Sequence, residues 1–315
     1  MKHLNLSSAA LLGSGLSPTE LKELTVVARR AASAGGTVLR HHSGRLERIR
    51  EKSRAGDLVT EADEAAEAAV LAVLEAETPG LAILAEESGR RPGAGELEWC
   101  VDPLDGTTNY AHGFPFFATS VGLTWKGLPL LGALDAPALE QAFWAASGLG
   151  AWCNDQPLAV SGCEQLPKSL LATGFAYDRC SRLDNNYAEF AWFTHRSRGV
   201  RRAGSAALDL AYVAAGRLDG YWERGLSPWD LAAGLVLVEE AGGSVSDYAG
   251  QRLNPADGRL IACSPELHQA LISGLASCAP LRGACYGAPE LDQAATRHDG
   301  SSPIDDRHAA GTPAA

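Results

Sequence analysis

The stretch EWCVDPLDGTTNYAHGFPFF, residues 98–117, sets two aspartates three positions apart, then a glycine and two threonines, directly behind an apolar run. Its first part, LEWCVDP (97–103), has the length and composition of a buried strand. Carboxylates at the end of such a strand call for a reason, because like charges at close range disfavour ionisation. Pro103 restricts Asp102 to extended backbone, and Gly106 lets the chain approach a ligand closely. In a turn after a strand, the side chains of Asp102 and Asp105 point to one side while the Leu104 carbonyl faces them. The GTT run that follows offers successive N–H groups and hydroxyls, a cradle for phosphate oxygens.

Other acidic residues stand at similar places. Glu86 and Glu87 close the apolar run LAILAEES (81–88), and Asp230 lies three residues beyond Ser227 in SPWDLAAGLVLVEEAGG (227–243). Thr60 and Asp63 have the spacing of a capping pair. Singly, each has an ordinary structural use as a turn residue, a cap or a solvated strand end. Together they form a set of oxygen donors with no paired His or Cys, which suits a hard ion such as Mg²⁺, or Mn²⁺, rather than zinc. A metal beside a phosphate cradle points to phosphoryl chemistry.

The rest of the chain supplies a frame. SPTELKELTVVARRAA opens a helix at Ser17 that runs to about Leu39, with Pro18 at its first position and Glu20 closing a capping box. A second helix begins at Thr60 and ends at Pro79-Gly80. FFATSVGLTW, a Lys126-Gly127 turn, LPLLGALDAP, AFWAAS and GAWCND read as an antiparallel meander. The second half alternates strands (SLLATGF, RLDGYWE, GSVSD, RLIACS) with helices (NNYAEFAWFTHR, GSAALDLAYVAAG, SPWDLAAGLVLVEEAGG, SPELHQALISGLAS). The fold expected is α+β, layered, with a largely antiparallel sheet.

With 315 residues, of which 46% are hydrophobic, the chain can build a sizeable core. A net charge of −11 argues against a nucleic-acid binder. No apolar run approaches the ~20 residues of a membrane span. Seven widely spaced cysteines form no metal or redox pair, which fits a reducing cytosol. Residues 1–16 read as a loose N-terminal extension, 17–279 as one folded domain, and 280–315 as a disordered tail poor in large apolar residues.

At this point the residues resemble a family. GDLVTEAD (56–63), AEES (85–88), WCVDPLDGTTNYAHGFPF (99–116), GSAALDLAYVAAGRLDGYWE (204–223) and WDLAAGLVLVEEAGG (229–243) are similar, in order, to the motifs of inositol monophosphatases, Mg²⁺-dependent, lithium-sensitive phosphatases. The resemblance implies an α/β/α/β/α sandwich and two or three Mg²⁺ ions per site. It implies one metal site from Glu86, Asp102 and the Leu104 carbonyl, and a second from Asp102, Asp105 and Asp230, with Glu86 also touching a third, looser ion. Thr107, backed by Asp63, and Glu87 would orient and deprotonate the attacking water. Gly106 and Thr107 would hold the phosphate, while Asp105, Gly204, Ser205, Ala206, Glu223 and Asp230 would lie on the substrate side. The family's lysine in the loop before its DLVT motif corresponds to Lys52. Cytoplasmic homodimers acting on a small phosphorylated polyol are what the resemblance implies.

Relatives of this fold act on fructose 1,6-bisphosphate, histidinol phosphate or adenosine 3′,5′-bisphosphate. The TTNYAHGFPF continuation and Glu223 look more like the inositol-phosphate branch. DPLDGT also has a superficial likeness to the aspartate-nucleophile phosphatases, but their two aspartates are separated by one residue and these by two. A regulatory binder that keeps the fold is the alternative from a different class.

Overall fold

The computed structural model describes residues 5–46, 48–52 and 57–279. The segment 280–315, expected to be disordered, lies outside the described residues. Eight helices are found among them: α1 (Leu6–Ser14), α2 (Pro18–His42), α3 (Glu61–Glu77), α4 (Thr107–Ala111), α5 (Tyr187–Arg196), α6 (Ala206–Ala214), α7 (Pro228–Glu240) and α8 (His268–Ser277). The first nine strands are β1 (Ile49–Glu51), β2 (Leu58–Thr60), β3 (Ala82–Ala85), β4 (Gly89–Arg91), β5 (Leu97–Asp105), β6 (Ala118–Trp125), β7 (Leu128–Ala136), β8 (Gln141–Ala146) and β9 (Gly150–Cys153). The remaining six are β10 (Gln156–Pro157), β11 (Leu170–Thr173), β12 (Gly199–Arg201), β13 (Gly220–Arg224), β14 (Ser244–Ser246) and β15 (Arg259–Cys263).

The strands form an eight-stranded sheet of order β10-β9-β8-β7-β6-β5-β3-β4, a five-stranded sheet of order β12-β11-β13-β15-β14, and the β1-β2 hairpin. In the large sheet only β3 and β5 run parallel. The smaller sheet is mixed, with β11 parallel to both β12 and β13. Helices α1, α2 and α3 cover one face of the large sheet, α6 and α7 lie between the two sheets, and α5 and α8 close the far face. The five layers expected for a sandwich of this type are therefore present.

Local sequence explains the layers. Ser17 and Glu20 make the reciprocal capping box that starts α2, whose small residues Ala28, Ala31, Ala32, Gly35 and Gly36 are buried against the sheet. The middle layer depends on two facing glycines. Gly122 of β6 pairs with Gly132 of β7, and a Cβ on Gly132 would come within 2.3 Å of the Ala233 Cα in α7. The missing side chains let α7 lie directly on the sheet, and its N-terminus then overhangs the end of β5, where the Trp229 carbonyl accepts a bond from Ser120 Oγ at 3.3 Å. Gly132→Val should destabilise the protein by about 3 kcal/mol through overpacking against backbone, read as a shift of the urea midpoint at constant slope.

The opening differs from the expected loose extension. Residues 6–14 form α1, packed on β6, β7 and α7, with Leu6 and Ala10 buried. Asn5 gives this helix no side-chain cap. Instead Glu239 of α7 accepts the N–H groups of Leu6 and Ser7 at 2.8 and 2.9 Å, an anion at the positive end of the helix. A cap supplied from the other end of the chain leaves no local signature.

Candidate active site

The carboxylates converge because β5 carries one extra residue. Asp102 pairs with Ser120 and Asp105 with Ala118, so three steps along β5 match two along β6. Cross-strand partners share a face and residues 118 and 120 lie on the same one; the bulge therefore turns Asp102 and Asp105 to that face. This sharpens the expected geometry, in which a turn beyond the strand aligned them. Asp102, Leu104 and Asp105 are buried, and Asp102 Oδ1 accepts the Leu104 N–H at 3.0 Å. Gly106 follows with φ 99°, and a Cβ there would lie 3.0 Å from the Phe116 carbonyl oxygen, so both conformation and space require glycine.

Thr107 stands at the start of the short helix α4, and its hydroxyl bonds Asp63 Oδ1 at 3.0 Å and the Leu104 carbonyl at 3.1 Å. Asp63 is fully enclosed and doubly employed. Its Oδ2 accepts the Thr60 N–H at 2.8 Å and the Thr60 hydroxyl at 2.6 Å, closing the capping box of α3, which leaves Oδ1 for Thr107. Burial pushes the Asp63 carboxyl up to about 6, against the pull of the Thr60 and Thr107 bonds.

Glu86 and Glu87 follow β3, and Lys52 bridges them at 2.8 and 2.6 Å. Burial raises Glu87 to about 7, the Lys52 bond opposes this and Glu86 adds to it. Burial works against the Lys52 charge as well, yet the two glutamates hold its ammonium well above the usual lysine range. The turn itself is held by a residue that sequence reasoning did not single out. Glu67 of α3, 4% exposed, accepts the N–H groups of Glu87 and Ser88 at 2.9 and 3.0 Å. The available signal was its place one helical turn beyond Asp63, on the same face of α3. Glu67→Ala would leave two N–H donors without their acceptors and should destabilise the protein by about 2 kcal/mol, which a thermal melt of the variant checks.

The remaining predicted residues meet at the same place. Asp105 Oδ2 accepts Ser205 Oγ at 2.6 Å and the Ala207 N–H at 2.7 Å, which docks the first turn of α6, with Ala206, on the β5 bulge. Asn109 Nδ2 donates to the carbonyls of Phe116, Ala203 and Gly204, so the Gly204 turn is tied to α4. Asp230 accepts the Ser227 N–H at 2.7 Å. Glu223 of β13 takes a hydrogen bond from the Tyr221 hydroxyl. His112, Trp99 and Trp222 stand outside this set of bonds, and Trp99 and Trp222 are core residues.

Electrostatically the cluster is uncompensated. Burial first, then Glu86, Asp105 and Asp230 as like charges, push Asp102 well above the carboxylate range. Burial also raises Asp105 to about 6, against its bonds to Ser205 and Ala207. Asp230 is pushed well above by burial and by Asp105 and Glu86. Among the described residues, none of these three aspartates forms an ion pair. Nor does any group of three or more His, Cys, Asp or Glu side chains among them close into a ready coordination shell: Lys52 draws Glu86 and Glu87 to itself, and Asp105 is turned to Ser205 and Ala207. The donor set nonetheless fits a hard divalent cation, being all oxygen, buried and in excess of negative charge.

Comparison with known proteins agrees with this geometry. The model of the inositol monophosphatase family matches residues 20–279. An inositol-1-monophosphatase of Synechocystis sp. is 49% identical over 265 residues, 83% of this chain and 91% of that protein. The Nus factor SuhB of Pseudomonas aeruginosa is 42% identical over 253 residues, 78% of this chain and 93% of its own. The structure of an inositol monophosphatase from Anabaena (Nostoc) sp. PCC 7120 superposes with a TM-score of 0.77 at 48% identity, covering 83% of this chain and 98% of that one. Bulged strand, capped Asp63, carboxylate cluster and sequence together place the chain in the inositol monophosphatase family, whose members are phosphatases that hydrolyse phosphomonoesters.

Proposed function

We propose that the chain is a Mg²⁺-dependent phosphomonoesterase that hydrolyses inositol monophosphate, or a similar small polyol or sugar phosphate, by direct attack of water. The observation that carries this is the buried excess of negative charge at Asp102, Asp105 and Asp230 beside the Thr107–Asp63 pair. Glu86, Asp102 and the Leu104 carbonyl are assigned to one ion, and Asp102, Asp105 and Asp230 to a second; Mn²⁺ satisfies the same donors. Bound there, divalent cations would lower the pKa of water and screen the phosphoryl charge.

The chain's own groups take the remaining tasks. Asp63, locked by Thr60, accepts the Thr107 proton and so leaves a Thr107 oxygen lone pair aimed at the attacking water. Glu87, held at about 7, is matched to accept that water's proton near neutral pH. The Gly106 and Thr107 N–H groups are assigned to the phosphate, and Gly204, Ser205, Ala206 and Glu223 to the alcohol, with Asp105 and Asp230 facing both ion and substrate. In-line displacement then releases the alcohol and inorganic phosphate with no covalent enzyme intermediate.

Lithium inhibition, assembly as a homodimer and residence in the cytosol accompany this reading. Among the described residues no helix is long and apolar enough to cross a membrane. An added regulatory binding role has one specific support, the relative described as a Nus factor, and it requires no loss of catalysis. Turnover on inositol 1-phosphate, fructose 1,6-bisphosphate, histidinol phosphate and adenosine 3′,5′-bisphosphate under equal Mg²⁺ tests the substrate. The highest kcat/KM is expected on inositol 1-phosphate. A strong preference for histidinol phosphate or the nucleotide would overturn it, and an aspartyl-phosphate trapped at Asp102 would overturn direct water attack.

A further inference from the structure

The catalytic carboxylates lie on the face of the large sheet turned to α7, where Ser120 meets the Trp229 carbonyl. A separate cleft of about 480 Å³ opens on the opposite face, between α2 and strands β7 and β8. Thr119 and Asp135, paired across β6 and β7, point into the α2 side: a Cβ on Gly35 would lie 2.7 Å from Thr119 Oγ1, and one on Gly36 2.4 Å from Asp135 Oδ1. The helix thus leaves room for a carboxylate that the phosphatase chemistry does not use. The Asp135 side chain is 14% exposed, and its nearest cation, Arg40 Nη2, stands at 3.8 Å, beyond hydrogen-bond reach. Among the described residues it has no hydrogen-bond donor. Burial raises its carboxyl to about 6, with Arg40 opposing.

The other end of the cleft carries a cation in the same condition. Arg29 lies over the Trp144 ring at 5.0 Å and forms no ion pair within 4.0 Å among the described residues. Asp135 pairs with Ala142 across β7 and β8, and Trp144 follows two residues on along the same face, a step of roughly 7 Å. The carboxylate and the guanidinium are therefore held apart on one wall, each in need of an opposite charge. A carboxylate only accepts hydrogen bonds and a guanidinium only donates them. Arg29 and Arg40 disfavour a bare cation in the cleft, and Asp135 disfavours a bare anion. A molecule that carries both charges a few ångström apart satisfies both ends, and the cleft has the volume of a small-molecule site. We propose that this cleft is a second binding site, for a free amino acid or a similar small zwitterion, whose ammonium bonds Asp135 and whose carboxylate bonds Arg29. Its body lies along Trp144 and Ala142. Binding there is independent of the chemistry at Asp102.

Isothermal titration of the full chain with glycine, L-valine, L-phenylalanine and L-glutamate tests the site. At least one of these should bind with a Kd of about 1 mM or tighter. Analogues of that amino acid lacking the ammonium or the carboxylate, for phenylalanine 3-phenylpropionate and 2-phenylethylamine, should bind at least about tenfold more weakly, as expected for loss of a charge-assisted bond. Asp135→Asn and Arg29→Gln should each weaken binding by a similar factor. Arg29 is exposed, so its variant decides the matter even if Asp135→Asn fails to fold. No binding by any of the four amino acids, equal binding of an analogue that lacks one charge, or binding unchanged in Arg29→Gln overturns the proposal. Displacement of the amino acid by inorganic phosphate with Mg²⁺ would place it at the catalytic carboxylates and overturn the proposal as well.

Discussion

Asp102→Asn should abolish phosphate release while raising the melting temperature of the metal-free protein. Both effects come from one carboxylate. Its charge is buried among Glu86, Asp105 and Asp230, which makes ionisation unfavourable in the folded chain, and asparagine removes that charge while keeping an oxygen for the Leu104 N–H. Removal of an uncompensated buried charge should raise the midpoint on the order of 5 °C in EDTA. Catalysis needs the same charge. Asp102 is shared between the two proposed ion positions, and Lewis-acid stabilisation of several kcal/mol corresponds to a loss of at least ~10³-fold in kcat/KM. Scanning calorimetry and phosphate release on one preparation measure both. A variant that is both inactive and less stable would assign Asp102 a structural role instead.

The second large effect is a dependence of stability on pH that Mg²⁺ reverses. Burial holds Asp63 and Asp105 at about 6 against an ordinary 3.8, and Glu87 and Glu223 at about 7 against 4.5. In that window the folded chain binds more protons than the unfolded one, so stability falls as pH rises through these values. A carboxylate at about 6 rather than 3.8 disfavours the ionised folded state by roughly 3 kcal/mol. In EDTA the melting temperature should therefore drop by on the order of 10 °C between about pH 5 and pH 8. Saturating Mg²⁺ favours the ionised carboxylates and should remove most of that drop, through binding linkage to the folded state. Equal slopes with and without Mg²⁺ would show that the cluster is not a cation site.

Most of this site was legible in the sequence because its residues sit at element boundaries, where local rules are strong. Ser17, Thr60, Ser205 and Ser227 begin helices as their spacing predicts, and the Lys126-Gly127 turn joins β6 to β7 with both residues at positive φ. What stayed hidden depends on distant contacts. Glu239 caps α1 from a position 233 residues away, and Glu67 reaches the Glu87 turn across 20 residues, so neither leaves a pattern in a short window. The Asp102–Asp105 bulge shows a subtler limit. The i, i+3 spacing pointed to a shared face, but only pairing with β6 shows that an extra residue, rather than a turn beyond the strand, achieves it.

The most direct measurement is phosphate release from myo-inositol 1-phosphate by the EDTA-treated wild-type protein, followed by titration with Mg²⁺. Release should be absent in EDTA and rise with Mg²⁺ to a saturating rate. Full activity in EDTA, or no hydrolysis at any Mg²⁺ concentration, would contradict the assignment of the β5 carboxylates to a catalytic metal centre.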